Sequence, residues 1–363
     1  MEGLVMLAAA AKGFLLLLGW LVIVGTALPL LRTTVWWVRI FDFPRAQVFI
    51  LGAVVLVLYV LFNRPLHSAG FFFLLVLTAT LLYQGWRIYP YTLLAEEQVH
   101  GANPERPEAT VRLLVANVLM SNRNDAGFRR LIAEEQPDLL LVVEPDRWWE
   151  ERLRPLEADF PYSLAYPLDN TYGMLLYSRY ELTEKKIHFL LQQDIPSFQV
   201  QVRLPSGDRI DLWGVHPEPP TPQESESSAP RDAELLLVGK KVEGLRRPVI
   251  VAGDLNDVAW SHTTRLFQRI SGLLDPRIGR GRYSTFHARY PFLRWPLDHV
   301  FHSDHFRLIE LRVLPGFGSD HFPILAVLSF EPERQGQGRP KPEVDDGHEA
   351  RERIEEGIEE ANE

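Results

Sequence analysis

From Gly13 to Leu31 the chain runs for 19 residues without a charge, GFLLLLGWLVIVGTALPLL. A second uncharged run covers Ala46 to Asn63, between Arg45 and Arg64, and a third covers Ser68 to Trp86, just before Arg87. As a helix, each reaches across a hydrocarbon core of roughly 30 Å, which takes about 20 residues. A buried core helix, or a cleaved leader in the case of the first run, looks similar when taken singly. Three consecutive runs with Trp36, Trp37, Arg39 and Arg45 at their edges instead predict a membrane anchor over residues 1–88 with three transmembrane helices. The runs hold no internal charge, which argues against a transporter, whose path shows as buried ionisable groups.

The side of the membrane stays open on sequence alone. Arg32, Arg39 and Arg45 crowd the first loop, against Arg64 alone in the second. Positive-inside counting then places the first loop, and everything after the third helix, in the cytoplasm. The absence of cysteine leans the other way, toward an oxidising compartment.

Beyond the anchor the pattern changes. Residues 89–107, with Pro90, Pro104 and Pro107, read as a linker. Over 108–330 short apolar strands alternate with polar segments, and helices are expected at Ala126–Gln136, Asp232–Leu245 and His262–Gly272. That order predicts a mixed α/β domain of two sheets packed face to face with helices outside. The net charge of −9 is concentrated in residues 331–363, which hold 12 acidic and 5 basic side chains and almost no large apolar ones. This composition predicts an acidic disordered tail, with at most a short helix near Ala350–Glu360.

Polar residues sit where the apolar strands stop. Asn117 follows RLLVA, Glu144 follows DLLLVV, His216 follows DLWGV, Asp254 and Asn256 follow VIVAG, and Asp320-His321 precede FPILAVL. A single carboxylate in such a place is an ordinary turn or cap, but strand ends on one sheet edge are where α/β sites gather. Asp254 and Asn256 are two apart, so near-extended backbone sends both side chains to one side. Together they offer a base or metal ligand and a neutral donor. Glu144 supplies hard oxygen suited to Mg²⁺. His216 and His321 suit donation to a phosphate whose charge grows in the transition state, and Asp298 is placed to fix the tautomer of one of them. Without cysteine, thiol nucleophiles and thiolate zinc sites are excluded. No HExxH, GxSxG or GxxxxGK[ST] occurs, so zincin, α/β-hydrolase and P-loop readings have no support.

The order N…E…H…GDxN…D…SDH resembles the endonuclease/exonuclease/phosphatase superfamily, which includes deoxyribonuclease I, abasic-site endonucleases, neutral sphingomyelinases and inositol polyphosphate 5-phosphatases. The resemblance spans about residues 108–330, and the apolar N-terminus is similar to a bacterial membrane-anchored branch. It implies a DNase I-like four-layer sandwich after three transmembrane helices, in a multi-pass protein of the inner membrane. Asn117 and Glu144 would hold Mg²⁺, or Mn²⁺, with Asp320 at or near the ion. His216 would contact the scissile phosphate, Asp254 would orient or deprotonate the attacking water, and Asn256 would bind a phosphate oxygen. Asp298 would pair with His321, which stabilises the transition state. The implied activity is a membrane-anchored phosphodiesterase or phosphatase acting on nucleic acid, or alternatively on a phospholipid. A non-catalytic binding module is the reading from another class.

Three positions depart from the family pattern: Val118, Val143 where glutamine is common, and Pro217 after the histidine. The seven arginines Arg265, Arg269, Arg277, Arg280, Arg282, Arg289 and Arg294 form either a basic surface for an anionic substrate or ordinary solvated faces.

Overall fold

The structure is a computed structural model describing residues 2–63, 67–102, 106–221 and 224–362. Arg64 and Pro104, used above, lie outside the described residues. The N-terminal part holds α1 (Glu2–Ala27), the single turn α2 (Trp36–Arg39), α3 (Arg45–Phe62) and α4 (Ser68–Ile88). Then follow β1 (Thr110–Asn117), α5 (Asp125–Glu135), β2 (Leu139–Val143), α6 (Arg147–Leu153), β3 (Tyr162–Tyr166), β4 (Met174–Ser178) and β5 (Glu181–His188). The second half runs β6 (Ser197–Arg203), β7 (Arg209–Gly214), α7 (Ala229–Val242), β8 (Val249–Asp254), α8 (His262–Ser271), β9 (Asp298–His302), β10 (Phe306–Val313), β11 (Ile324–Phe330) and α9 (Asp346–Ala361).

Two mixed sheets form the domain. One has the order β10-β11-β1-β2-β4-β3 and the other β5-β6-β7-β8-β9. Period-two alternation sends Leu113 and Val115 of β1 and Ile250 and Ala252 of β8 into the core between the sheets. Leu114 and Ala116 face outward against α5 and α6, while Val249 and Val251 face α7 and α8. The result is helix, sheet, sheet, helix.

The edge that carries the strand-end polar residues follows from strand direction. β1 and β2 are parallel, as are β7 and β8, and their C-terminal ends lie on one edge. The antiparallel β9 and β11 start at that same edge. All the strand-end polar residues singled out above therefore converge there.

Helices α1, α3 and α4 contain three segments long and apolar enough to cross a membrane. They pack through Val22, Val55, Tyr59, Phe73 and Leu77 and leave Phe14, Leu17, Leu21, Val54, Leu61 and Phe72 exposed. Where the sequence suggested a linker, Tyr91 is buried, its hydroxyl donating to the Ala259 carbonyl at 2.6 Å, and Val99 joins the inter-sheet core.

The acidic tail differs from the disordered segment expected. Its last part is α9, laid on α7 and pinned by an ion pair from Asp346 to Arg269 (2.7 Å) and a hydrogen bond between Glu349 and His262 (2.5 Å). The physical reason is a small-residue face. A Cβ at Gly357 would stand 2.4 Å from the Ala233 Cβ and 2.5 Å from the Ala229 oxygen, so only glycine allows so close an approach.

Candidate active site

At the edge where the strands end, the two sheets touch through side chains. Asn117 closes β1 and Asp254 closes β8, and the Asn117 amide donates to Asp254 Oδ2 at 3.0 Å and to Glu144 Oε1 at 2.6 Å. One carboxamide thus bridges two carboxylates from different sheets, while its own oxygen accepts from the Leu119 N–H at 2.9 Å. Glu144 stands one residue past β2 with φ at 61°, which turns its side chain back over the sheet edge.

Asp254 sits opposite Asp298 in the β8–β9 register, a like-charge pair that is unfavourable by itself. His321 resolves it. Its Nδ1 donates to Asp298 Oδ2 at 2.8 Å and its Nε2 lies 3.5 Å from Asp254 Oδ2. Burial alone would lower the ring's pKa; Asp254 and Asp298 reverse that and push it up to about 10. At neutral pH His321 is therefore an imidazolium held between two carboxylates. Burial likewise pushes the Glu144 carboxyl above its ordinary value, against the opposing pull of His216 and the Asn117 amide.

The backbone fixes these positions. Gly253 has φ at 147°, and a Cβ there would lie 1.9 Å from the Val215 carbonyl oxygen, so β8 can only press this close to the His216 segment with glycine. His216 Nδ1 donates to the Asp254 carbonyl at 3.1 Å, leaving Nε2 at 3.9 Å from Glu144 Oε1. Asn256, with φ at 51°, sends its amide to the Pro217 carbonyl at 2.9 Å, and its N–H donates to Asp254 Oδ1 at 3.0 Å.

Asn117, Glu144, His216, Asp254, Asp298 and His321 are thus brought together, with Asn256 at their margin. Asp320 stands apart: among the described residues no contact joins it to Glu144 or Asn117, and it acts on His321 through charge. Two supporting residues escaped the sequence reading. Ser319 Oγ donates to the Asn117 carbonyl at 2.8 Å and accepts from the His321 N–H at 3.0 Å. Thr285 Oγ accepts from the Asp298 N–H at 3.2 Å. Ser319 is the first residue of the SDH motif, whereas nothing in the pattern marks Thr285. Phe317, just before the SDH motif, is core, stacked on Phe128 at 4.6 Å.

The donor set fits a hard divalent cation. Glu144 and Asp254 offer carboxylate oxygens, the chain has no cysteine, and two buried carboxylates, Asp254 and Asp298, with the partly exposed Glu144, face the single charge of His321. Ligand atoms of Asp254, Asp298 and His321 lie within 4.8 Å of one another. Those three already share the His321 proton, so the Glu144 end is where positive charge is lacking.

Comparison with known proteins bears on the fold. No curated protein matches the chain in sequence. Among solved structures, a D. rerio TDP2 humanized by 14 mutations is 17% identical with a TM-score of 0.51, covering 61% of this chain and 99% of that one. D. rerio TDP2 complexed with single strand DNA product is 19% identical with a TM-score of 0.51 and the same coverage. The human Nocturnin catalytic domain with bound sulfate is 16% identical with a TM-score of 0.50, covering 61% of this chain and 95% of that one. At these identities the similarity concerns fold. The family model for the endonuclease/exonuclease/phosphatase family matches residues 114–321, more than half of the chain, and it is to this family, whose members are usually phosphoester hydrolases, that the chain belongs.

Proposed function

We propose that this chain is a membrane-anchored, divalent-metal-dependent phosphoester hydrolase. The observation that carries the reading is the relay from Asp298 through His321 to Asp254, joined to Glu144 by one asparagine. A Mg²⁺ or Mn²⁺ ion held by Glu144, with Asn117 beside it, would polarise a phosphoryl oxygen when bound. Asp320, at or near the ion in this reading, also adds its charge to His321.

The residues themselves orient and balance the reaction. Asp254, its second oxygen fixed by the Asn256 N–H, accepts the proton of a water aligned for in-line attack. The new P–O bond forms as the bond to the leaving oxygen breaks, and that oxygen takes its proton from solvent. His321, held as imidazolium, donates to the phosphoryl oxygen that gains charge. His216, its Nδ1 committed to a carbonyl, presents Nε2 toward the same space.

Membrane attachment is supported by the exposed apolar faces of α1, α3 and α4, which are too extensive to leave in water. The segment between the first two spans and the residues after the third both pack on the domain, so both lie on one side of the bilayer.

The test uses the full chain in detergent with Mg²⁺ and bis-p-nitrophenyl phosphate. Asp254→Ala and His321→Ala should each lower kcat by about 10²–10⁴, and chelation should abolish turnover. Wild-type rates retained by either variant would sink the hydrolase reading.

A further inference from the structure

The catalytic edge is continuous with an apolar cavity of about 220 Å³. Its catalytic wall is Asn256 and His321. Trp36, Ile40 and Phe43, from the segment between the first two spans, face Phe286, Trp295 and Leu297 of the domain across it. Phe286 packs on the His321 ring at 4.9 Å, and Phe43 meets Trp295 edge-on at 5.7 Å. Nothing in the hydrolytic chemistry needs this chamber. It is smaller than the roughly 300–1,000 Å³ of a site for a whole drug-sized ligand, so it accommodates one arm of a substrate.

Its location says which arm. Ile40 is 51% exposed at the mouth and lies five residues before the start of α3. Beside it, the 289–294 loop is tied to α3 by the Gln47 side chain, which donates to the Phe292 carbonyl at 3.0 Å. That loop turns Phe292 out at 84% exposure, with Tyr290 and Leu293 also exposed and Arg289 and Arg294 flanking them. Exposed apolar tips between arginines, level with the first turn of a membrane span, match the depth of lipid headgroups. A long nucleic acid would need a continuous basic track. Of the seven arginines in this region, however, Arg269, Arg277 and Arg280 are already paired with Asp346, Asp275 and Glu97.

We infer that the substrate is a phosphoester lipid of the bilayer that carries the anchor, its phosphate at Asn256 and His321 and a hydrocarbon arm in the chamber formed with Trp36, Ile40 and Phe43. This rests on the hydrolase reading above and specifies its substrate class.

The experiment uses the full chain in phosphatidylcholine nanodiscs with Mg²⁺ and alkyl p-nitrophenyl phosphodiesters from methyl to dodecyl. In the wild type kcat/KM should rise by up to about fourfold per added methylene while carbons enter the chamber, then level off. Ile40→Asp should flatten the series. Comparing variant with wild type on the same ester cancels partition into the bilayer, and a folding defect would lower all esters equally and leave the slope. A flat wild-type series, an unchanged slope in Ile40→Asp, or preferred salt-sensitive cleavage of single-stranded DNA would overturn the inference. If no ester turns over, methyl included, the hydrolase reading fails, and binding of dodecyl against methyl phosphate by calorimetry then judges the chamber alone. Tighter dodecyl binding that Ile40→Asp removes supports the chamber, and equal binding of the two overturns it.

Discussion

Buried titratable residues show how closely this molecule ties charge to position. His321 gains a proton because two carboxylates face it, whereas Glu234 meets the opposite circumstance. Glu234 is fully buried in α7 and accepts from Ser197 Oγ at 2.6 Å; among the described residues no lysine or arginine pairs with it, and the pull of His216 is opposed by nearby Glu218. Burial therefore raises its carboxyl from 4.5 to about 7. The sign follows directly. The fold prefers the neutral acid, so no cost is felt below the ordinary carboxylate value. The cost grows from there to about pH 7 and is complete above it. Glu234→Gln keeps an acceptor for Ser197 and removes the ionisation. We expect the variant to match the wild type near pH 4 and to exceed it by about 3 kcal/mol at pH 8. Denaturant midpoints of the full chain in detergent at the two pH values measure this, and a pH-independent difference would show that ionisation is not the cause.

At the level of elements, α9 is the part where composition misleads. Its apolar content is low, but its inner face is Ala350, Arg353 and Gly357, spaced three and four apart, and small residues plus a buried arginine replace the usual Leu and Ile. Gly357→Leu should undock the helix, because the Ala229 oxygen is backbone and cannot yield. Hydrogen exchange should then show loss of protection in α9 while the sheets stay protected; unchanged protection would mean that the ion pairs alone hold it. The same contrast explains what the sequence made legible. Strands β1, β2, β8 and β11 are buried on both faces and stand out as apolar runs, and GDLN and GSDH mark where two of the runs stop or start. Strands β3 and β5 are edges: YSLAY is half exposed, and ELTEKKIH is charged, with a register shift between Thr183 and Lys186. Such edges are polar because an apolar one invites aggregation, so they hide among loops. The site residues were visible because each ends or precedes a run. Thr285 was not, since its loop folds back from far along the chain.

Across the whole molecule, the apolar N-terminal helices, the α/β domain and the tail meet at one buried charge cluster. Arg39, between α1 and α3, pairs with Asp42 at 3.1 Å and adds its charge near Asp232 and Asp257. Arg231 binds Asp232 at 2.7 Å, and its Nη1 donates to the Asn256 carbonyl at 2.8 Å, beside the candidate site. Arg353 of α9 reaches Asp232 at 3.5 Å. These arginines hold Asp232 down to about 2 despite its complete burial. Removing one partner from such a cluster leaves charge buried without compensation and typically costs about 3–5 kcal/mol. Arg39→Ala should therefore destabilise the domain and not only the anchor, and Arg353→Ala should do the same from the opposite end of the chain. Because both act through Asp232, the double variant should depart from additivity by about 0.5–3 kcal/mol. Thermal or chemical unfolding of the full chain, following the domain's own tryptophans, measures the cycle. Strict additivity would mean that the anchor segment and the tail helix are held independently. A departure would mean that the segment between α1 and α3, which lines the apolar cavity beside His321, is part of the α/β domain's own folding unit, so that a fragment cut free of the N-terminal helices lacks both a wall of that cavity and part of its stability.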